Sequence, residues 1–259
     1  MVKLKTTQEI ETLARGGALM ATLHDELASR VAVGVTGIDL DTYAREFCKA
    51  HNVIPSFLGY AARGHEPYPA ALCVSVNSTV VHGIPNTVPF KEGDVVSIDM
   101  GIIYEGLFLD SARTVAVGTV SSEAAALMEV TKGALDSAIA AATVGNTTGD
   151  IGYAVEQYVE EQARLRDIPF GIVTQLVGHG VGYGVHEEPS VPNVGPAGRG
   201  ETLREGLVIA IEPMITIGNP FVETADDGWS IITDEGGLAA HEEHTIAIGE
   251  EGPRILTKR

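Results

Sequence analysis

Two segments of this chain, KEGDVVSID at residues 91–99 and REGLVIAIE at 204–212, agree in seven of nine positions when Lys/Arg, Val/Ile and Asp/Glu count as equivalent. They lie 113 residues apart. A second echo keeps the same order, VHGIP at 81–85 and VHEEP at 185–189. Two echoes in one order point to an internal duplication. Each half reads helix, helix, VHxxP, then an EG-led strand ending in a carboxylate. The expectation is a single domain over 1–259 built from two related halves, about 1–118 and 119–259, around a pseudo-twofold axis. Asp99 and Glu212 would then face each other across a shared sheet.

The local patterns fill in the elements. Thr6 with Glu9 forms a capping-box pair, and the apolar spacing after it predicts a helix over 7–31. A second helix follows around 40–48. Ser121 or Ser122 opens a third, through 142, and Thr148 or Asp150 a fourth, through 166. Residues 187–206, with several Pro and Gly, read as a loop, and 207–217 as one strand. Residues 228–248 read as a hairpin turning at 234–237.

The stretch 95–115, VVSIDMGIIYEGLFLDSARTV, reads as two apolar strands around a turn near Tyr104-Glu105-Gly106. Folding about 104/105 would set Asp99 directly opposite Asp110, with Cβ atoms about 4.5–5.5 Å apart on one face. Two carboxylates that close repel, and one is driven neutral unless a cation lies between them. A single carboxylate in an apolar strand is costly to bury. Glu212, at the end of LVIAIE, repeats the pattern, and GLAAHEEHTIAI offers Glu242 or Glu243.

GHGVGYGVH at 178–186 supplies His179 and His186, seven residues apart in a glycine-rich loop that gives them different roles. Its GxGxG is a weak match to a phosphate cradle, because no Lys follows and no strand–helix unit surrounds it. Carboxylates with an imidazole and no thiolate suit Mn, Fe(II), Co or Zn. Four carboxylates and one His exceed one tetrahedral zinc. They suit two divalent ions sharing bridging carboxylates, a hydrolytic centre. His82 and His186, from the matching VHxxP segments, would flank the metals as proton donors or carbonyl contacts.

Composition narrows the class. Lys and Arg number 17 against 35 Asp and Glu, for a net charge of −18. That argues against DNA or an anionic membrane as a partner, and any ribosome contact would need a local basic patch. Two cysteines, Cys48 and Cys73, with no CxxC exclude a thiolate zinc site and fit a reducing cytoplasm. No signal-peptide h-region and no membrane-length apolar run is expected.

SVN…VVHGIP (75–85), SIDMG…LFLDSART (97–114), GHGVG…VHEEPSVPN (178–193), IEPM (211–214) and EEHT (242–245) closely resemble the type I, bacterial-type methionine aminopeptidases. The resemblance spans nearly the whole chain. It implies the pita-bread fold, an α+β arrangement of two pseudo-symmetric halves with a central antiparallel sheet covered by helices. It also implies removal of the initiator methionine from nascent proteins when the second residue is small, with a metal-activated water attacking the scissile carbonyl.

Carried across residue by residue, the resemblance makes Asp99, Asp110, His179, Glu212 and Glu243 ligands of two divalent ions. Asp110 and Glu243 bridge, and Glu212 is also the general base. His82 and His186 contact the scissile amide. Cys73, Tyr60, Tyr68 and Trp229 line the methionine pocket. Nascent N-terminal peptides are the expected partners, and the chain is expected to be monomeric and cytoplasmic.

Two departures stand out. Residues 61–67 lengthen the link between Tyr60 and Tyr68, and Val185 replaces the Phe usual before His186, which would loosen the pocket wall. The competing readings are an X-Pro aminopeptidase of the same fold and a catalytically dead, peptide-binding member.

Overall fold

The structure is a computed structural model that describes residues 2–61 and 66–258. Among these there are four α-helices: α1 (Thr7–Arg30), α2 (Gly37–Ala50), α3 (Ser122–Ala141) and α4 (Thr148–Arg166). Three begin with a reciprocal capping box, at Thr6/Glu9, Thr36/Asp39 and Thr147/Asp150, and α3 begins with the Ser121 hydroxyl on the Ala124 N–H. Each cap satisfies backbone donors that the first helical turn leaves free. The four predicted helices are therefore present, with ends shifted by a few residues.

The hairpin is the long pair Val95–Tyr104 and Leu107–Ala116. Its register differs from the expected one by two residues. Tyr104 pairs with Leu107, Gly101 with Asp110, and Asp99 with Ala112. The cause is the two-residue turn Glu105-Gly106, in which both residues have positive φ, 49° and 85°, as the hairpin-favouring primed turn requires. A shift of two keeps every side chain on its face. Asp99 and Asp110 still share a face, as diagonal rather than direct neighbours. Cys73 joins them there, paired with Asp99 from the Cys73–Val76 strand.

The opposite face, with Ile98, Met100, Ile102 and Leu109, packs under α1 and α2 in one hydrophobic core. Gly16 and Gly17 let α1 lie this close. A Cβ on Gly16 would sit 2.7 Å from Leu109 Cδ1, and one on Gly17 would run into the Leu256 carbonyl. In the second half α3 and α4 cover a core that includes Ile209, Ile211, Ile215, Ile246 and Ile248.

Two other expectations are corrected. Residues 207–217 are two strands, Val208–Ile211 and Met214–Ile217, that belong to different sheets. The break falls at Glu212-Pro213, where proline has no N–H to give a ladder. Residues 228–248 are no hairpin either. Ile231–Thr233 pairs with Val222–Thr224 and Thr79–Val81, Ala239–His241 with Met214–Ile217, and His244–Gly249 with Val208–Ile211. Within 187–206, Glu187–Val191 is a strand at the edge of a five-stranded sheet, where a proline is tolerated.

Asp99 and Glu212 thus lie in or beside different sheets rather than across a shared one. The sheets of the two halves meet at a narrow seam beside these carboxylates. Ala112 and Glu243 exchange backbone hydrogen bonds, at 3.0 and 3.4 Å. On one side the Thr114 hydroxyl accepts from the His241 N–H at 3.1 Å and donates to its carbonyl at 2.7 Å. On the other the Thr245 hydroxyl does the same for Asp110, also at 3.1 and 2.7 Å. The seam has a local twofold.

Gly17→Ala tests the close approach of α1. Alanine is the better helix former, yet we expect the variant to be destabilised by about 1–3 kcal/mol because the helix must lift from the Leu256 carbonyl. Urea unfolding at neutral pH measures it, and an unchanged or raised stability would refute the packing account.

Candidate metal centre and pocket

The seam brings the carboxylates together. Asp110 leaves it from one strand and Glu243 from the other, and Asp99 lies beside them. All three are buried, at 4%, 2% and 7% relative exposure. Asp99 Oδ1, Asp110 Oδ1 and Glu243 Oε1 are buried without a hydrogen-bond partner among the described residues. Ligand atoms of Asp110, Glu243 and His179 lie within 4.8 Å of one another.

Such a group is unfavourable in the absence of cations. Burial first, and then the neighbouring carboxylates, push Asp110 and Glu243 well above the usual range. Burial first, with Glu212 next among the raising influences, takes Asp99 to about 7. Orphaned, buried, mutually repelling oxygens beside an imidazole are the donor set of a divalent metal site. The residues fit the cations that the sequence implied.

Glu212 behaves differently. Burial opposes its charge, but His241, His179 and His82 around it prevail and hold its pKa below the usual value. Its Oε1 lies 3.5 Å from His179 Nε2 and its Oε2 3.6 Å from His241 Nε2. His179 Nδ1 bonds the Gly180 carbonyl at 2.9 Å, so Nδ1 carries the hydrogen and Nε2 is left as a ligand atom.

All eleven residues singled out in the sequence line one cavity of about 180 Å³. Asp99, Asp110, His179, Glu212 and Glu243 are there with His82 and His186. Tyr60, Tyr68, Cys73 and Trp229, joined by Phe57, supply the apolar part of the lining. Tyr68 and Trp229 meet edge to face, with centroids 5.2 Å apart. The Tyr68 hydroxyl donates to the Gly83 carbonyl at 2.9 Å, next to His82. Val185 is buried and is not among the lining residues.

A second cleft of about 440 Å³ shares His82, His179, His186 and Glu212 with the first. The two histidines of the VHxxP segments therefore stand at the junction. His82 has φ +58°, a left-handed conformation that costs a non-glycine residue about 1–3 kcal/mol and collects at functional sites. His186 Nδ1 lies 2.9 Å from the Tyr60 hydroxyl. Burial lowers the pKa of His82. Crowding by the protein, with His179 next, takes His186 down to about 4. Both are neutral imidazoles at pH 7.

Of the lengthened link, residues 62–65 lie outside the described residues. Its ends hold the pocket wall: Tyr68 N–H donates to Tyr60 O at 2.8 Å, Gly59 N–H to Tyr68 O at 2.9 Å, and Trp229 Nε1–H to Glu66 O at 3.1 Å.

Two residues of the site escaped the sequence reading. His241 is 1% exposed against Glu212. It sits two before Glu243, and strand alternation in AHEEHT carries that signal. Phe57 comes from an irregular segment with no periodicity. It reaches the cavity because Gly101, paired with Asp110, leaves space, and a Cβ there would lie 2.7 Å from Phe57 Cε1.

Known proteins match this arrangement. The model of Metallopeptidase family M24 matches residues 11–250. A methionine aminopeptidase of Clostridium acetobutylicum is 42% identical over 258 residues, covering 99% of each chain. The crystal structure of a methionine aminopeptidase from Thermotoga maritima superposes with a TM-score of 0.94 at 40% identity, covering 100% of both chains. That from Rickettsia prowazekii gives 0.93 at 36% identity, over 99% of this chain and 100% of the other. With these likenesses, the α+β pita-bread fold expected from the sequence is established. Among the described residues no helix is long and apolar enough to cross a membrane.

Asp110→Asn separates the metal account from a structural one. In the metal-free fold Asp110 keeps its proton above its unfolded pKa, so the native state binds more protons and loses stability as pH rises. We expect metal-free Asp110→Asn to be at least as stable as the parent at pH 8, with a smaller advantage at pH 5. Mn²⁺ should raise the melting temperature of the parent and bind the variant about 100-fold more weakly. Calorimetric titration and thermal unfolding at both pH values measure this, and a variant binding Mn²⁺ as the parent does would remove Asp110 from the site.

Proposed function

The chain belongs to Metallopeptidase family M24, and from that premise we propose that it is a methionine aminopeptidase. It would release the N-terminal methionine of nascent peptides when the second residue is small. The observation that carries this reading is an aromatic- and sulfur-lined pocket opening on buried, unpartnered carboxylates. Near-complete mutual coverage with relatives of that name supports it. Methionine is unbranched, apolar and polarisable, and its thioether is suited to ring contacts with Phe57, Tyr60, Tyr68 and Trp229 beside Cys73.

We assign Asp99, Asp110, His179, Glu212 and Glu243 as the residues that would hold two divalent ions, Mn, Fe(II), Co or Zn. Such a pair, when bound, acidifies water and polarises a carbonyl. Glu212, ionised at neutral pH, takes the proton of the attacking water. His82 and His186, neutral and at the junction of the two clefts, hydrogen-bond the scissile amide and stabilise charge as it develops. Tyr60 engages Nδ1 of His186, leaving Nε2 for the substrate. Both halves supply ligands, which favours one catalytic unit over residues 1–259. We place the reaction in the cytoplasm, on nascent N-termini, by a monomer.

A peptide panel tests the reading. The Mn²⁺-loaded protein is expected to release Met from Met-Ala-Ser and to spare Met-Lys-Ser and Ala-Pro peptides, measured by amino-acid release. Turnover of Ala-Pro alone would make it an X-Pro aminopeptidase. Release from neither, with metal bound, would leave a peptide-binding protein. Asp99→Ala is expected to abolish turnover while circular dichroism stays that of the parent.

A further inference from the structure

The loop from Val181 to His186 carries one of the two junction histidines, and a residue far away in sequence reaches against it. Glu187, next to His186, turns its carboxylate back into the loop. Oε1 accepts the N–H of Gly184 at 2.8 Å and that of Tyr183. Oε2 accepts from Lys5 Nζ at 2.9 Å. The Lys5 side chain is 1% exposed and that of Glu187 11%.

Lys5 comes from the segment before α1, and that segment is anchored. Its N–H donates to the Gly206 carbonyl at 2.7 Å. Gly206 has φ +84°, and a Cβ there would stand 2.8 Å from the Lys5 carbonyl oxygen. The stem of Lys5 lies against Gly182, where a Cβ would collide with its Cε. Its ammonium is 4.9 Å from the Tyr183 ring centroid, and the Tyr183 hydroxyl donates to Glu9 Oε1 at 2.9 Å. The first residues thus grip the loop at Gly182, Tyr183 and Glu187.

Taking an ammonium out of water is expensive, and a buried ion pair is weak evidence for added stability. What it does supply is direction. Lys5 fixes one oxygen of Glu187, the loop amides fix the other, and the residue just before Glu187 is His186. We infer that Lys5 and Glu187 are positioning residues for His186, an N-terminal strap that sets where that imidazole meets the substrate. The partners of Lys5 all lie outside the proposed metal ligands, so the strap acts on the histidine and not on metal binding.

This inference rests on the role proposed for His186. The test uses the full chain with Mn²⁺, as Lys5→Met and Lys5→Arg, and reads three quantities: amide exchange over 181–187, Mn²⁺ affinity, and kcat and KM on Met-Ala-Ser. For Lys5→Met we expect exchange over 181–187 to rise about tenfold or more. We expect kcat to fall about 10- to 100-fold, KM to move less than about threefold, and Mn²⁺ affinity to stay within about threefold. Lys5→Arg, which keeps the charge, should recover most of kcat. Parental exchange and parental kcat in Lys5→Met would overturn the strap. So would a loss of Mn²⁺ affinity in step with kcat, which marks general collapse. Should the parent itself release no methionine, the proposed reaction fails, and the exchange measurement alone still decides whether Lys5 holds the loop.

Discussion

Ala112 and Glu243 face each other where the two halves of the chain meet, and the site depends on that pairing. Their backbones exchange hydrogen bonds, and the Thr114 and Thr245 hydroxyls clamp the residues on either side. The clamp on Asp110 and the pairing of Glu243 leave neither backbone free to move away. Their carboxylates are therefore brought together by main-chain geometry, whatever the cost between them. In the metal-free protein the cost appears as protons retained on Asp110 and Glu243. A divalent cation offsets the same repulsion with opposite charge.

Around this seam the titrating groups are sorted by their neighbours. Carboxylates surrounded by carboxylates hold their protons. Glu212, the carboxylate surrounded by three histidines, gives its proton up. Burial favours the neutral form of His82 and His186, whereas burial of His241 is outweighed by the Glu212 and Asp99 carboxylates, which hold its pKa above the usual value. Groups of one chemical type thus differ in charge at one pH because of where the fold puts them, which is how acid and base functions are divided among like residues. The apolar pocket and the second cleft meet at this charge boundary, with His82 and His186 at the junction.

Much of this was legible along the chain. The helix starts follow from Thr and Ser hydroxyls placed three residues before a free amide. Asp99, Asp110 and Glu212 stood out because a carboxylate in an apolar strand needs a partner, whereas between Glu242 and Glu243 only the family resemblance chose. The hairpin register did not stand out, because it hangs on the backbone of Glu105, a non-glycine residue with positive φ that composition does not announce. The face assignment survived because the shift was even. The reading of 228–248 as a hairpin failed because a short strand with a turn on either side can pair in several ways, and here its neighbours come from 79–81, 208–217 and 222–224.

By itself the sequence marked the residues to which we assign the chemistry, through local patterns, an internal echo and the family resemblance, because these constrain residue type and face. The tertiary structure alone decided how those residues meet. It split 207–217 at Pro213 between two sheets and set His241 against Glu212. It brought Phe57 past Gly101 into the pocket and ran Lys5 to Glu187 across most of the chain. The physical reason is range. A cap or a strand face depends on neighbours within a few residues, whereas a seam, an ion pair or a cavity wall depends on chain ends that only the packed core brings together.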